Sequence, residues 1–322
     1  MTPTPRPPLD PGVARAFDEL DDIVVSITVD DIPRLRQSAE PAAASELTHH
    51  GAFVRTERTI VDRDLSVPIV IALPVDARRP VPVLMHLHGG GLVSGDADSE
   101  MPALTALAER VGCAVVSVAY RLAPEHPYPA ALDDAVAALR WLGGPDAPAE
   151  IDRERIVLTG VSAGAGLAAA LALYVRDHGG PRPAGMLLQA PMLDHRSTSR
   201  SAVQMVGHGS WDREANQVAW AAYLGGLAAG VDGDAVPSYA SPALADDLGG
   251  LPPAFIDVGS AETFRDECVA FADAIWNAGG DAELHVWPGG THAFDLMAPW
   301  LALSRDAQHA RRAWLRRILR RA

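Results

Sequence analysis

From residue 53 onward the chain alternates short apolar runs with longer segments of helical periodicity. Apolar runs fall at 81–87, 114–119, 156–159, 186–190, 254–258 and 283–287, and they are continuously apolar rather than alternating. Strands covered on both faces read this way, because each side of the pleat meets packed side chains. Between them lie helical patterns at roughly 99–111, 129–142, 163–176 and 264–278. The rhythm predicts βαβ units and an α/β fold, with a mostly parallel sheet flanked by helices. Two earlier runs, 53–61 and 67–73, are separated by Asp62, Arg63 and Asp64, which predicts two further strands joined by a turn and eight strands in all.

One stretch breaks the rhythm. From Asp194 to about Pro252 no strand pattern occurs; Ser-, His- and Gly-rich sequence leads to a helix at 211–224 and then to a Gly/Asp-rich loop. An insertion of this kind is a candidate lid over a site. The expected organisation is therefore N-terminal cap helices over 1–50 and a catalytic domain over 51–322, with a cap insertion at about 195–240. The chain closes on an Arg-rich segment carrying Arg311, Arg312, Arg316, Arg317, Arg320 and Arg321. Its pattern predicts an amphipathic helix with Trp314, Leu315, Ile318 and Leu319 turned inward.

Charge narrows the function classes. The 322 residues carry a formal net charge of −14, which argues against nucleic acid and anionic membrane surfaces as partners. No apolar run reaches transmembrane length. The Pro-rich N-terminus lacks the apolar core of a secretory signal, so a cytoplasmic protein is expected. Cys113 and Cys268 stand at neither metal nor redox spacing and read as two unpaired thiols.

The strongest chemical signal is Gly160-Val161-Ser162-Ala163-Gly164. It follows an apolar run and opens a helical pattern, the context of a nucleophile elbow, where only small residues fit around the serine. The second is His88-Gly89-Gly90-Gly91, directly after the run at 81–87. Successive glycines bare the backbone, so N–H groups can approach an oxyanion. Gly89 and Gly90 are the expected donors, with Ala163 as the third. No Lys or GxGxxG accompanies the loop, which argues against a phosphate cradle.

A serine hydroxyl needs a base, and position must choose among 11 histidines. His292 follows the last apolar run, so a loop there can bring it onto Ser162. His86 lies within a run and reads as core; His88 reads as shaping the glycine loop. The base needs a carboxylate to orient it. Glu262 lies on the loop after the run at 254–258, in the order Ser, acid, His. Asp194 is the alternative acid. Leu92, Val93, Met205, His208 and Trp211 are candidate pocket residues. Neither a metal nor a cofactor is implied.

Together these motifs resemble the hormone-sensitive lipase-like family of α/β-hydrolases, the bacterial esterases with an HGGG loop. The resemblance extends to Gly91-Leu92-Val93-Ser94-Gly95-Asp96, to Tyr120-Arg121-Leu122-Ala123-Pro124-Glu125-His126-Pro127-Tyr128-Pro129, to Pro191-Met192-Leu193-Asp194 and to Ser241-Pro242. It implies an eight-stranded α/β-hydrolase fold with a helical cap. It also implies hydrolysis of esters of short to medium acids through an acyl-enzyme, and dimers are common in that family. Two departures stand out: Val161 where the family commonly has Asp, and Glu262-Thr263 where it commonly has Asp-Pro. Lactones, amides and acetylated small molecules remain alternative substrates on the same machinery. A non-catalytic ligand-binding protein is the alternative from another class, disfavoured by the presence of Ser162, Glu262 and His292 together.

Overall fold

Strand register decides which face every buried side chain meets. The computed structural model describes residues 5–19, 26–37, 42–229 and 236–321. The strands are β1 (Phe53–Asp62), β2 (Leu65–Pro74), β3 (Val81–Leu87), β4 (Ala114–Val118), β5 (Ile151–Val161), β6 (Gly185–Gln189), β7 (Ala254–Gly259) and β8 (Ala282–Trp287). They form one sheet in the order β1-β2-β4-β3-β5-β6-β7-β8. β2 pairs antiparallel with β1 and β4, and every other pair is parallel. Arg63, at φ 56°, turns the chain so that Asp62 pairs with Leu65. β5 is longer than its apolar run because its polar start also pairs: Ile151 lies opposite Val81.

The helices are α1 (Pro11–Asp18), α2 (Ile32–Gln37), α3 (Ala44–Leu47), α4 (Met101–Val111), α5 (Ala130–Gly143), α6 (Ala163–His178), α7 (Arg200–Gln204), α8 (Arg213–Leu224), α9 (Arg265–Asn277), α10 (Phe294–Met297) and α11 (Ala302–Arg321). Alternate strand residues feed two cores. Val83, Met85 and Leu87 of β3, with Ile156 and Leu158 of β5, join the core under α5, α6 and α9. Leu84 and Val157 join the opposite core under α4 and α11. Cys113 and Cys268 are free, buried and on opposite faces. Among the described residues no helix is long and apolar enough to cross a membrane.

Trp314, Leu315, Ile318 and Leu319 face inward from α11 as expected. Arg311 joins them, although the expected inward face held apolar residues alone. It is buried, bridging Asp257 at 2.7 Å and Asp295. Asp257 also accepts from Trp287 Nε1 at 3.0 Å. This cluster ties α11 and α10 to β7 and β8 from inside the core.

The N-terminal segment divides. Val13 of α1 packs against Phe294 and Ala307. Arg36 of α2 donates to the carbonyls of Val93 and Ala123 and pairs with Glu125. Leu47 of α3 instead packs on the α4 face, and His49 reaches Glu109 near the far end of α4. So α3 is a flank element, a correction to cap helices throughout 1–50. Residues 1–4, 20–25 and 38–41 of that span, and 230–235 of the Gly/Asp-rich loop, lie outside the described residues. In the insertion, α8 starts at Arg213 rather than 211 because Asp212 caps it, accepting from Ala215 N at 2.8 Å. The same carboxylate accepts from Ser26 Oγ and Gly207 N, which fastens the N-terminal segment to the insertion.

Replacing Arg311 by Leu strands two buried carboxylates. Loss of one partner of such a cluster costs about 3–5 kcal/mol, so urea unfolding of Arg311→Leu should show a loss of that size. An unchanged midpoint would show the cluster to be dispensable.

Candidate active site

Between β5 and α6 the chain reverses in a turn with no room for side chains. A Cβ on Gly164 would lie 2.0 Å from Leu87 O, and one on Gly160 would lie 2.4 Å from the Gly164 carbonyl carbon. The turn leaves Ser162 at φ 56° and ψ −119°. A non-glycine residue there carries strain of about 1–3 kcal/mol, tolerated only where the surroundings over-determine it. Three backbone bonds do so. Ser162 N donates to Gln189 O at 2.8 Å, and Ser162 O accepts from Met192 N and Gly166 N at 3.0 and 3.1 Å.

The loop after β8 brings His292 to this serine, with His292 Nε2 and Ser162 Oγ 3.0 Å apart. On the other side of the ring, Nδ1 lies 2.7 Å from Glu262 Oε2. An ionised carboxylate only accepts, so Nδ1 carries the proton and Nε2 is left to accept from the serine. Glu262 Oε1 accepts from Phe264 N at 2.6 Å, so both oxygens are engaged. Glu262 is 1% and His292 7% exposed, so water competes little for these bonds. The Phe264 ring stands edge-on to the imidazole, with centroids 5.2 Å apart.

Asp194, the alternative acid, is turned away. Its carboxylate pairs with Arg196 at 2.8 Å and accepts from the Arg196 backbone N–H. The backbone N–H groups of Leu193 and Asp194 instead donate to the buried Glu267. Burial, opposed by these two bonds, holds the Glu267 carboxyl well above its ordinary pKa.

The glycine loop is braced from behind. His88 Nδ1 donates to Gly89 O at 2.8 Å, and Tyr120 stacks on the His88 ring with centroids 4.1 Å apart while its hydroxyl donates to His88 O. Burial lowers the pKa of His88, which suits a neutral structural imidazole. Arg121 brackets Asp134 at the start of α5. The expected donor Gly89 is already engaged. Its N–H donates to Glu100 Oε1 at 3.2 Å, and Glu100 Oε2 lies 3.1 Å from His86 Nε2. Gly89, expected as a donor, thus has its N–H turned to Glu100 and anchors the loop in this structure. Among the described residues Gly90 and Gly91 donate their N–H to no protein acceptor. Ala163 N belongs to the first turn of α6, where N–H groups lack helical partners.

Of the candidate pocket residues, Leu92 and Val93 continue the glycine loop, and Trp211 of the insertion packs onto it. Its ring tip would lie 2.7 Å from a Cβ on Gly91, so it covers the third glycine. Met205 is buried, its Cε near Gly209, which borders Thr291. Leu92 and Val93 are buried in the core under α5 and α6. His208 is exposed to solvent. Sequence reasoning passed over Ser210 and took Thr263 only as a departure from the family pattern. Thr263 Oγ1 donates to Trp211 O at 2.6 Å, and Ser210 Oγ donates to His292 O at 2.8 Å. Both join the insertion to the loops that carry the acid and the base.

A mostly parallel sheet with a serine on a strained strand-to-helix turn, followed in sequence by an acid and then a histidine, defines an α/β-hydrolase. The family model described as alpha/beta hydrolase fold matches residues 84–296. The chain belongs to the hormone-sensitive lipase-like esterases of that superfamily. It is 34% identical over 321 residues to carboxylesterase NlhH of Mycobacterium tuberculosis, across 98% of this chain and 97% of that protein. It is 35% identical over 246 residues to an acetyl-hydrolase of Streptomyces hygroscopicus, across 74% and 77% of the two chains. Among solved structures, esterase LipW of Mycobacterium marinum superposes with a TM-score of 0.86 at 32% identity, across 97% and 98% of the chains. The protein is accordingly a serine hydrolase of carboxylic esters.

In Gly164→Ala the new Cβ would meet backbone oxygens that cannot rotate away. Overpacking of this kind costs about 1–3 kcal/mol. A lower melting temperature and a reduced kcat on a nitrophenyl ester are expected together; native values of both would contradict the tight-elbow account.

Proposed function

We propose that Ser162, His292 and Glu262 form the catalytic triad and that the preferred substrates are esters of short to medium acids. The observation that carries this reading is the continuous buried chain from Ser162 Oγ through His292 to Glu262, with links of 3.0 and 2.7 Å. His292 Nε2 takes the hydroxyl proton as Ser162 Oγ attacks the ester carbonyl carbon. Glu262 stabilises the resulting imidazolium without taking its proton. The carbonyl oxygen, now negative, accepts from the free N–H groups of Gly90, Gly91 and Ala163. A single donor of this type lowers the barrier by about 3–4 kcal/mol. The tetrahedral intermediate collapses, and the alkoxide leaves as an alcohol with the proton from His292. Water then enters, gives a proton to His292 and attacks the acyl-enzyme. The free acid departs, and His292 returns the proton to Ser162.

The insertion is fastened beside the proposed triad, where it can read the substrate. Trp211 closes over Gly91, and Thr263 and Ser210 hold the insertion against the loops of the triad. Amides and lactones could use the same residues, and matched ester and amide substrates separate these classes by kcat/KM.

A nitrophenyl ester series from acetate to laurate tests both halves of the proposal. Ser162→Ala should lower kcat by about 10⁶-fold, and Glu262→Gln by about 10⁴-fold through loss of the productive tautomer. Full activity in Ser162→Ala would remove the nucleophile assignment. A maximum at laurate would remove the short-to-medium preference while leaving the triad intact.

A further inference from the structure

Between α4 and α11, on the flank of the sheet away from α5, α6 and α9, lies a cavity of about 490 Å³. That volume falls within the range of small-molecule sites. None of Ser162, Glu262 and His292 lines it. Leu104 and Leu107 of α4 and Leu296 of α10 give it apolar walls, and its inner end is formed by Val161 and Gln189, both more than nine-tenths buried.

The polar groups of the cavity divide into satisfied and unsatisfied ones. Glu100 is engaged by Gly89 N and His86, and Asp295 is engaged by Arg311. Gln189 is different: its side-chain amide has no hydrogen-bond partner among the described residues. Among the described residues two cations at the outer end also lack close carboxylates. Among the described residues Arg312 donates only to the Gln308 carbonyl, at 3.2 Å, and the nearest carboxylate to Arg110 is Glu109 at 3.9 Å. Partial burial, and then the positive charges of Arg110 and Arg316, hold the Arg312 pKa below its ordinary value. In a chain of net charge −14, a crowd of guanidinia at the mouth of an apolar cavity is complementary to an anionic head on an apolar chain.

We propose that this cavity is a second ligand site for a medium-chain carboxylate, with its head on Arg312 and Arg110 and its chain along Leu104, Leu107 and Leu296. The carboxylate faces outward because the inner end already holds Glu100 and Asp295. The buried tip of the chain meets Val161, which adjoins the serine turn. Free acids are what ester hydrolysis releases, so the ligand class coincides with product.

Titration calorimetry with octanoate tests the site on the intact protein. Octanoate should bind wild type, and octanol should bind at least tenfold more weakly. Arg312→Glu should weaken octanoate by tenfold or more, and Ala106→Phe, which fills the cavity from α4, should abolish the heat of binding. Both variants should retain nitrophenyl acetate turnover and a native circular dichroism spectrum, which shows that they fold. Absence of octanoate binding to wild type would overturn the proposal. So would wild-type affinity in both variants, or loss of binding only when Ser162 is blocked by a fluorophosphonate, since the acid would then occupy the catalytic pocket.

Discussion

The backbone of Ser162 is the constraint on which the rest of the site depends. At φ 56° and ψ −119° it sits where an L-residue is strained, and a free chain would relax out of that conformation. It is held because Gly160 and Gly164 allow β5, α6 and the end of β3 to approach within distances that no Cβ would permit. The bonds of Ser162 to Gln189, Met192 and Gly166 complete the hold. The same close approach sets the serine hydroxyl beside the glycine loop that leaves β3. Nucleophile and loop are therefore parts of one rigid junction between neighbouring strands.

Around that junction the protein places groups held by hydrogen bonds to one another. His88 Nδ1, the Tyr120 hydroxyl, Glu100 and His86 Nε2 brace one another and the rear of the glycine loop, and among the described residues the N–H groups of Gly90 and Gly91 are left over. Glu262 is likewise committed at both oxygens. Preorganisation of this kind lowers the reorganisation needed when charge develops. The cap is coupled to it through Thr263 and Ser210, so the elements that shape substrate choice share hydrogen bonds with the loops that carry the acid and the base.

Much of this was legible in the sequence because the relevant signals are local. The doubly covered strands announce themselves as unbroken apolar runs, and the elbow and glycine loop need small residues at fixed places. Ser162, Glu262 and His292 could be chosen by position because the sheet topology orders its loops. What escaped depends on contacts between distant segments. Glu100 reads as an ordinary residue at the start of a helical pattern, and only the fold brings it onto Gly89. Thr263 reads as a departure from a family pattern, and only the insertion gives its hydroxyl a partner. Arg311 was recoverable: it lies three and seven residues before Trp314 and Ile318, in phase with the buried stripe of α11, but charge composition masked that phase. The short α3 carries too few residues for a periodic signal, so its place on the α4 flank came only from packing.

The central claim is that a single serine, activated by His292, forms the covalent intermediate. Labelling the native enzyme with a fluorophosphonate and mapping the adduct by peptide mass spectrometry addresses it most directly. The account predicts one adduct, on the peptide carrying Ser162, and its loss in His292→Ala. An active enzyme that stays unlabelled at Ser162, or carries the adduct on another residue, would contradict it.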